Sequence, residues 1–192
     1  MPATSETTMP MIATDLPPSP WVVRHAHLVP AGAQVLDLAA GRGRHSRLFA
    51  ARAAEVTAVD RDASALAALE GVAGVRTHCA DLEAGAWPFA DRSFGAIVVT
   101  NYLHRPLIDT LLAALAPDGA LLYETFAAGN ERHGRPSSPD FLLRPGELLE
   151  CVQGRLTVVA FEQGEISLPR PAVVQRIAAV GKARAWPPRL AS

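Results

Sequence analysis

The sequence predicts an α/β protein built on a doubly wound parallel sheet. Short β-branched or apolar runs alternate with Ala- and Leu-rich helical segments over most of the chain, the pattern of strands joined by right-handed crossovers. Residues 94–100 are a nearly continuous apolar run, as a strand covered on both faces requires. A glycine-containing turn joins the first strand to the next helix, and ligands bind such sheets at that edge.

Residues 1–18 are rich in Ser, Thr and Pro and read as a flexible leading segment. Ser19-Pro20-Trp21 opens a helix over 19–29, with proline suited to its first turn. Residues 34–38 form the first strand and 44–54 the helix beyond the glycine turn. Residues 55–60 alternate β-branched side chains as a second strand. Asp62 caps a helix reaching Glu70. Residues 72–79 make a third, more polar strand, and 81–93 an irregular crossover. The apolar strand at 94–100 precedes a helix over 106–116, which Pro117-Asp118-Gly119 stops, and a fifth strand over 120–125. Residues 126–144 form a polar loop whose length marks it as functional. A short helix covers 145–151. The last strands, 157–161 and 173–180, have no helix between them and so pair as an antiparallel hairpin at one edge. Residues 19–184 form one domain and 185–192 a Pro-rich tail.

Lys and Arg number 18 against 19 Asp and Glu, for a net charge of −1. Such a balance carries no strong nucleic-acid or anionic-membrane signal. No apolar run reaches transmembrane length, and the start of the chain has neither a signal-peptide nor an anchor pattern. The expectation is a cytoplasmic protein. Cys79 and Cys151 make no metal-ligand pattern, and both read as small buried hydrophobes. No metal site is expected, and the sequence sets no oligomeric state.

The chemistry concentrates after the first strand, in Val35-Leu-Asp37-Leu-Ala39-Ala-Gly41-Arg-Gly43-Arg-His45. Gly41 and Gly43 let the backbone turn tightly and approach a ligand closely. The helix that follows offers unpaired amides to an anionic group. Asp37, four residues before Gly41, suits an ammonium group. Asp60 ends the second strand 23 residues after Asp37, where an acid accepts from ribose hydroxyls. Asp81 ends the third strand 21 residues later, within reach of an adenine amino group. Acids on three successive strand tips thus match an amino-acid head, a ribose and a base in order. Taken singly, each acid could instead cap a turn or helix.

Over residues 20–182 the chain resembles the class I S-adenosylmethionine (SAM)-dependent methyltransferases. Val-Leu-Asp37-Leu-Ala-Ala-Gly41-Arg-Gly43 is similar to their first motif, Ala-Val-Asp60-Arg61 to the acidic tip of strand two, and Cys79-Ala-Asp81-Leu82 to the adenine-contacting segment. Residues 87–94 and 115–123 resemble the lead-ins to strands four and five. Ala39 stands where many members have glycine, and Gly95 where Asp is usual. Residues 126–147 resemble small bacterial methyltransferases of the tellurite-resistance type. The resemblance implies a Rossmann-like sheet of order 3-2-1-4-5-7-6 with strand seven antiparallel. It implies SAM as cofactor and S-adenosylhomocysteine (SAH) as product, with cofactor-binding residues Asp37, Ala39, Gly41, Gly43, Asp60, Arg61, Asp81, Leu82 and Asn101.

Methyl transfer from an activated sulfonium needs mainly proximity and alignment, with a base only where the acceptor must lose a proton. His104 and Tyr102, after strand four, are the candidate catalytic residues; His104 and Arg105 could equally cap the helix at Pro106. Arg132, His133 and Arg135 in the long loop could grip an anionic molecule or form a solvated face. His45 reads as helix surface or pocket wall. The chain lacks Asn-Pro-Pro-Tyr or Asp-Pro-Pro-Tyr after strand four and any Pro-Cys there, which similar enzymes use on exocyclic amines, amides or cytosine carbon. Those substrate classes lose weight, and with no appended recognition domain the acceptor expected is a small molecule, or a substrate met through a partner protein. Two other readings compete: a non-catalytic SAM-binding or partner-activating protein, and an NAD(P)-dependent oxidoreductase. The turn Gly41-x-Gly43-x-x-Ser46 lacks the third small residue of the latter.

Overall fold

The computed structural model describes residues 16–188 and 190. Its strands are β1 (Gln34–Leu38), β2 (Glu55–Asp60), β3 (Val75–Cys79), β4 (Phe94–Thr100), β5 (Leu115–Phe126), β6 (Leu156–Ile166) and β7 (Ala172–Gly181). They form one sheet of order β3-β2-β1-β4-β5-β7-β6. Neighbours among β1 to β5 pair in parallel, while β7 runs antiparallel to both β5 and β6. The expected order and the terminal hairpin are both present.

Short helices cover the two faces. They are α1 (Pro20–His25), α2 (Arg44–Ala50), α3 (Ala63–Leu66), α4 (Ile108–Ala114) and α5 (Glu147–Val152). Strand side chains alternate between faces. On one face Trp21 and Val22 of α1 and Phe49 of α2 pack on Val35, Val98, Leu122 and Ala178. On the other, Leu111 of α4 and Leu148 of α5 pack on Leu36, Ile97, Tyr123 and Ile177. Burying each such side chain stabilises the fold by about 1.5–3 kcal/mol before entropy is counted. Ser19 caps α1 by accepting from the Trp21 amide, and Asp62 caps α3 by accepting from Ser64 and Ala65.

Three expectations are corrected. The fifth strand begins at Leu115, which pairs with Phe94 before the register moves to Ala96 opposite Ala120. Pro117-Asp118-Gly119 therefore occupies a bulge inside the strand, where proline's missing N–H costs the ladder nothing. The terminal strands run five residues beyond the apolar stretch of β6, because pairing with β7 carries Glu162, Gln163 and Glu165 along a solvent-exposed edge. Neither cysteine is buried: Cys79 is exposed on the edge strand β3 and Cys151 is half-buried. The leading segment expected at 1–18 lies outside the described residues up to position 15, and so do positions 189, 191 and 192 of the tail.

Candidate cofactor site

The strand tips converge as the alternating pattern requires. Asp60, at the end of β2, receives the Gly41 amide on Oδ2 at 2.7 Å and the Asp62 amide on Oδ1 at 2.9 Å. One carboxylate thus ties the glycine turn to the start of α3. Asp81 accepts from the amides of Glu83 and Ala84 on Oδ1, at 2.9 and 3.3 Å, which fixes the loop after β3. The turn itself is left-handed at Ala39 (φ 52°) and Gly41 (φ 54°). An alanine at positive φ is strained, and here the strain lies on the cavity wall. Asn101, at the tip of β4, is also left-handed (φ 56°) and gives its amide to the Glu124 carbonyl at 2.9 Å; asparagine tolerates that region better than most residues.

Around these tips lies an open cavity of about 420 Å³, within the size range of small-molecule and cofactor sites. Ala39, Gly41, Asp60, Arg61, Asp81, Leu82 and Asn101 all line it. Tyr102 lines it too, whereas His104 lies beyond the wall. A Cβ on Gly41 would meet nothing within 4 Å on the protein side, so the turn presents bare backbone to the cavity. The chemistry of this donor set fits an adenosyl ligand: acids at two tips for ribose and base, apolar walls between them, and exposed backbone at the turn.

Two of the residues assigned to the cofactor do not line the cavity. Asp37 is buried (1% exposed) and accepts from Ser46 Oγ at 2.5 Å. Burial raises its pKa to about 6, against the opposing effect of the Ser46 hydrogen bonds. It anchors the first turn of α2 from behind. Gly43 has φ 76°, and a Cβ there would overlap the buried Leu69 side chain. It provides close packing between the turn and the segment after α3, and no ligand surface.

His45 is neither helix surface nor cavity wall. It is 2% exposed. Its Nε2 accepts the Ser19 amide at 3.0 Å, and its Nδ1 lies 3.4 Å from Thr100 Oγ1. An accepting Nε2 places the ring proton on Nδ1. Burial, helped by the Arg44 charge, lowers its pKa to about 3, so the ring is neutral at physiological pH. The Tyr102 hydroxyl is buried with no hydrogen-bond partner among the described residues. Burial first, and then the charge of Glu83, push its pKa up to about 12; it is held as a phenol. The basic loop residues are elsewhere: Arg132 and His133 face Glu165 at 3.9 and 3.5 Å. Arg105 clamps Glu147 at 2.7 and 3.0 Å and the Asp140 and Leu142 carbonyls at 2.8 Å, stapling the 126–144 loop in place.

Sequence reasoning missed Leu16, Arg44, Glu83 and Thr100, all of which line the cavity. Thr100 ends β4, so the strand-tip rule that found Asp60 and Asp81 reaches it as well. Leu16 carries no local signal. Among the described residues no group of three His, Cys, Asp or Glu side chains could hold a metal ion, and no helix is long and apolar enough to cross a membrane.

Comparison with known proteins agrees with this geometry. Residues 35–119, from β1 to the bulge of β5, match the methyltransferase domain family. No curated protein matches the chain. Its fold is similar to TehB from Haemophilus influenzae (TM-score 0.69, 19% identity, 84% of this chain), of which it spans 61%. It is similar to a SAM-dependent methyltransferase from Methanosarcina mazei (TM-score 0.66, 16% identity), covering 86% of this chain and 99% of that one. It is also similar to the 1,6-didemethyltoxoflavin-N1-methyltransferase of Burkholderia thailandensis, solved with 1,6-didemethyltoxoflavin and SAH bound (TM-score 0.59, 23% identity, 84% and 76% of the two chains). Identities this low speak for the fold alone. The matched stretch and the sheet order are those that the resemblance to the class I SAM-dependent methyltransferases implies.

Proposed function

We propose that this chain transfers the methyl group of SAM to a small-molecule acceptor in the cytoplasm, releasing SAH. The observation that carries the reading is the convergence of Gly41, Asp60, Asp81 and Asn101 on one cavity at the carboxyl edge of the sheet. Bound SAM would supply an electrophilic methyl group already activated by its sulfonium charge. Asp60 would hold the ribose hydroxyls with the lone pairs that its two backbone bonds leave over, and Asp81 would accept from the adenine amino group. Arg61 and Leu82 would flank the adenosine, and Ala39 and Gly41 would present the turn backbone to the methionyl part. Asp37 acts from behind that turn by fixing α2 through Ser46.

On the acceptor side, a phenol held protonated can donate a hydrogen bond but not serve as a base, so Tyr102 becomes a wall residue. For acceptors that must lose a proton the base would be His104, which stands two residues after Tyr102 and outside the cofactor cavity, so such an acceptor would have to bind beyond the Tyr102 wall; acceptors with a free lone pair need none. A small acceptor is supported by the B. thailandensis protein of the same fold, which was solved with a small heterocycle and SAH bound. Domain limits of 19–184 are supported by the extent of the sheet and its covering helices, which run from Pro20 to Gly181.

The test is a thermal-shift series with SAM, SAH, NADH and NADPH, followed by mass detection of methylated products in a metabolite extract. Stabilisation by SAM and SAH alone, with a product 14 Da heavier than its precursor (about one CH₂, by the transfer chemistry), is the expected outcome. A shift with the nicotinamide ligands only would overturn it. Binding without any product would leave a SAM-binding protein and refute the transfer.

A further inference from the structure

Residues ahead of α1 reach the cofactor cavity, although nothing in their sequence marks them for it. Leu16 lines the cavity, and the Pro17 carbonyl accepts from Arg44 Nη1 at 3.1 Å. Two residues on, Ser19 is 3% exposed and holds the segment by both its backbone and its side chain. Its amide donates to His45 Nε2 at 3.0 Å, and its hydroxyl donates to Glu124 Oε1 at 3.0 Å. The receiving groups are themselves fixed. Glu124 lies opposite Thr100 on β4 and Arg176 on β7, with Arg176 Nε 2.7 Å from Glu124 Oε2. His45 sits 3.4 Å from Thr100 Oγ1. A serine between prolines 18 and 20 is thus bolted to α2, β4 and β5 at the edge of the site.

We propose that residues 16–19 form a strap that completes the wall of the SAM cavity, and that Ser19 is the positioning residue that latches it through His45 and Glu124. The inference rests on the reading of the cavity as a SAM site. The physical reason is a population effect. The strap contributes Leu16 to the wall only while it is docked, and apparent affinity falls with the fraction of molecules in the docked state. Losing the Ser19 hydroxyl strips Glu124 of a buried donor; losing the His45 ring leaves the Ser19 amide buried without an acceptor. Both favour undocking. His45 suits the task because burial keeps its ring neutral, so Nε2 stays an acceptor across the physiological range.

The experiment is calorimetric titration of the full chain with SAH, with amide hydrogen exchange over residues 16–22 measured with and without it. Ser19→Ala and His45→Ala should each weaken SAH binding about tenfold, and Leu16→Ala about threefold. Ser19→Thr, which keeps the hydroxyl, should restore most of the affinity. SAH should slow exchange at 16–22 in the wild type and much less in Ser19→Ala. Val152→Ala, at the buried end of α5 and away from the cavity, controls for general destabilisation: it should lower Tm and leave SAH affinity unchanged. Unchanged affinity in Ser19→Ala and Leu16→Ala overturns the proposal, as does equal weakening in Val152→Ala. Leu16 is exposed enough (46%) that its variant folds even if the buried ones do not. Failure of the wild type to bind SAH would refute the SAM-site reading; normal binding that the strap variants share would refute the strap alone.

Discussion

At the carboxyl ends of β2 and β3, Asp60 and Asp81 are held by backbone amides of the glycine turn and of the loops that follow those strands. Beside them, across β4, β5 and the antiparallel β7, Thr100, Glu124 and Arg176 form a cross-strand row whose members are held by other side chains: Ser19, His45 and one another. A carboxylate that takes one or two amides keeps lone pairs for a ligand. A carboxylate opposite a guanidinium and a buried hydroxyl spends its charge inside the protein. The first half of the edge is therefore built to bind and the second to hold shape, and the cavity lies where they meet.

Breaking the second half should cost the most stability. Glu124 and Arg176 have side chains only 12% and 15% exposed. Arg176→Met leaves a nearly buried carboxylate without its counter-ion, so urea unfolding should show a loss of about 3 kcal/mol. Adding Glu124→Gln should recover more than half of it. A single variant as stable as the double would show that the row is not held by charge.

Gly43→Ala probes the join between the two halves. It places a Cβ into Leu69 and a side chain at φ 76°, and overpacking with left-handed strain together cost about 2–3 kcal/mol. The same denaturation measurement checks this. SAH affinity of the folded fraction should hardly change, since Gly43 does not line the cavity; a large loss of affinity would return Gly43 to the binding surface.

A further effect is confined to a pH window. The folded state raises the Asp37 pKa from 3.8 to about 6, chiefly by burial. Between those values the folded state holds a proton that the unfolded state has lost, so this contribution to stability falls as pH rises through the window. His45 acts in the opposite sense. Its pKa is lowered from 6.5 to about 3, so stability is lost as pH falls through that range. Asp37→Asn removes the first effect, by about 3 kcal/mol at most, and should leave stability rising steadily from about pH 4 to neutrality. A profile parallel to the wild type would contradict a pKa of Asp37 raised by burial.

The same contrast explains what the sequence made legible. The donor half of the site is local: Asp37, Gly41, Asp60 and Asp81 each lie at or just after the end of a short strand, so alternating strand and helix signals located the tips, while the sheet order came from the family resemblance. What the pattern could not reveal was direction. Asp37 has the right position but points inward to Ser46, because β1 is covered on both faces and its last residues alternate between them. The structural half is non-local. Ser19 and Glu124 are 105 positions apart, and Arg176 faces Glu124 only because β7 inserts antiparallel beside β5. Leu16 and His45 acquire their places from these contacts. The misjudged edge strand β6 has the same origin, since partner pairing, and not its own polar sequence, carries it to Ile166.

The central claim is that Asp60 and its neighbours form a SAM site. Its most direct test is calorimetric titration of SAH into the wild type and Asp60→Ala. Saturable binding by the wild type, weakened at least tenfold in Asp60→Ala, about 1.4 kcal/mol or more, is the expected result. Equal affinity in the two proteins would contradict the assigned ribose contact, and no binding to the wild type would contradict the site itself.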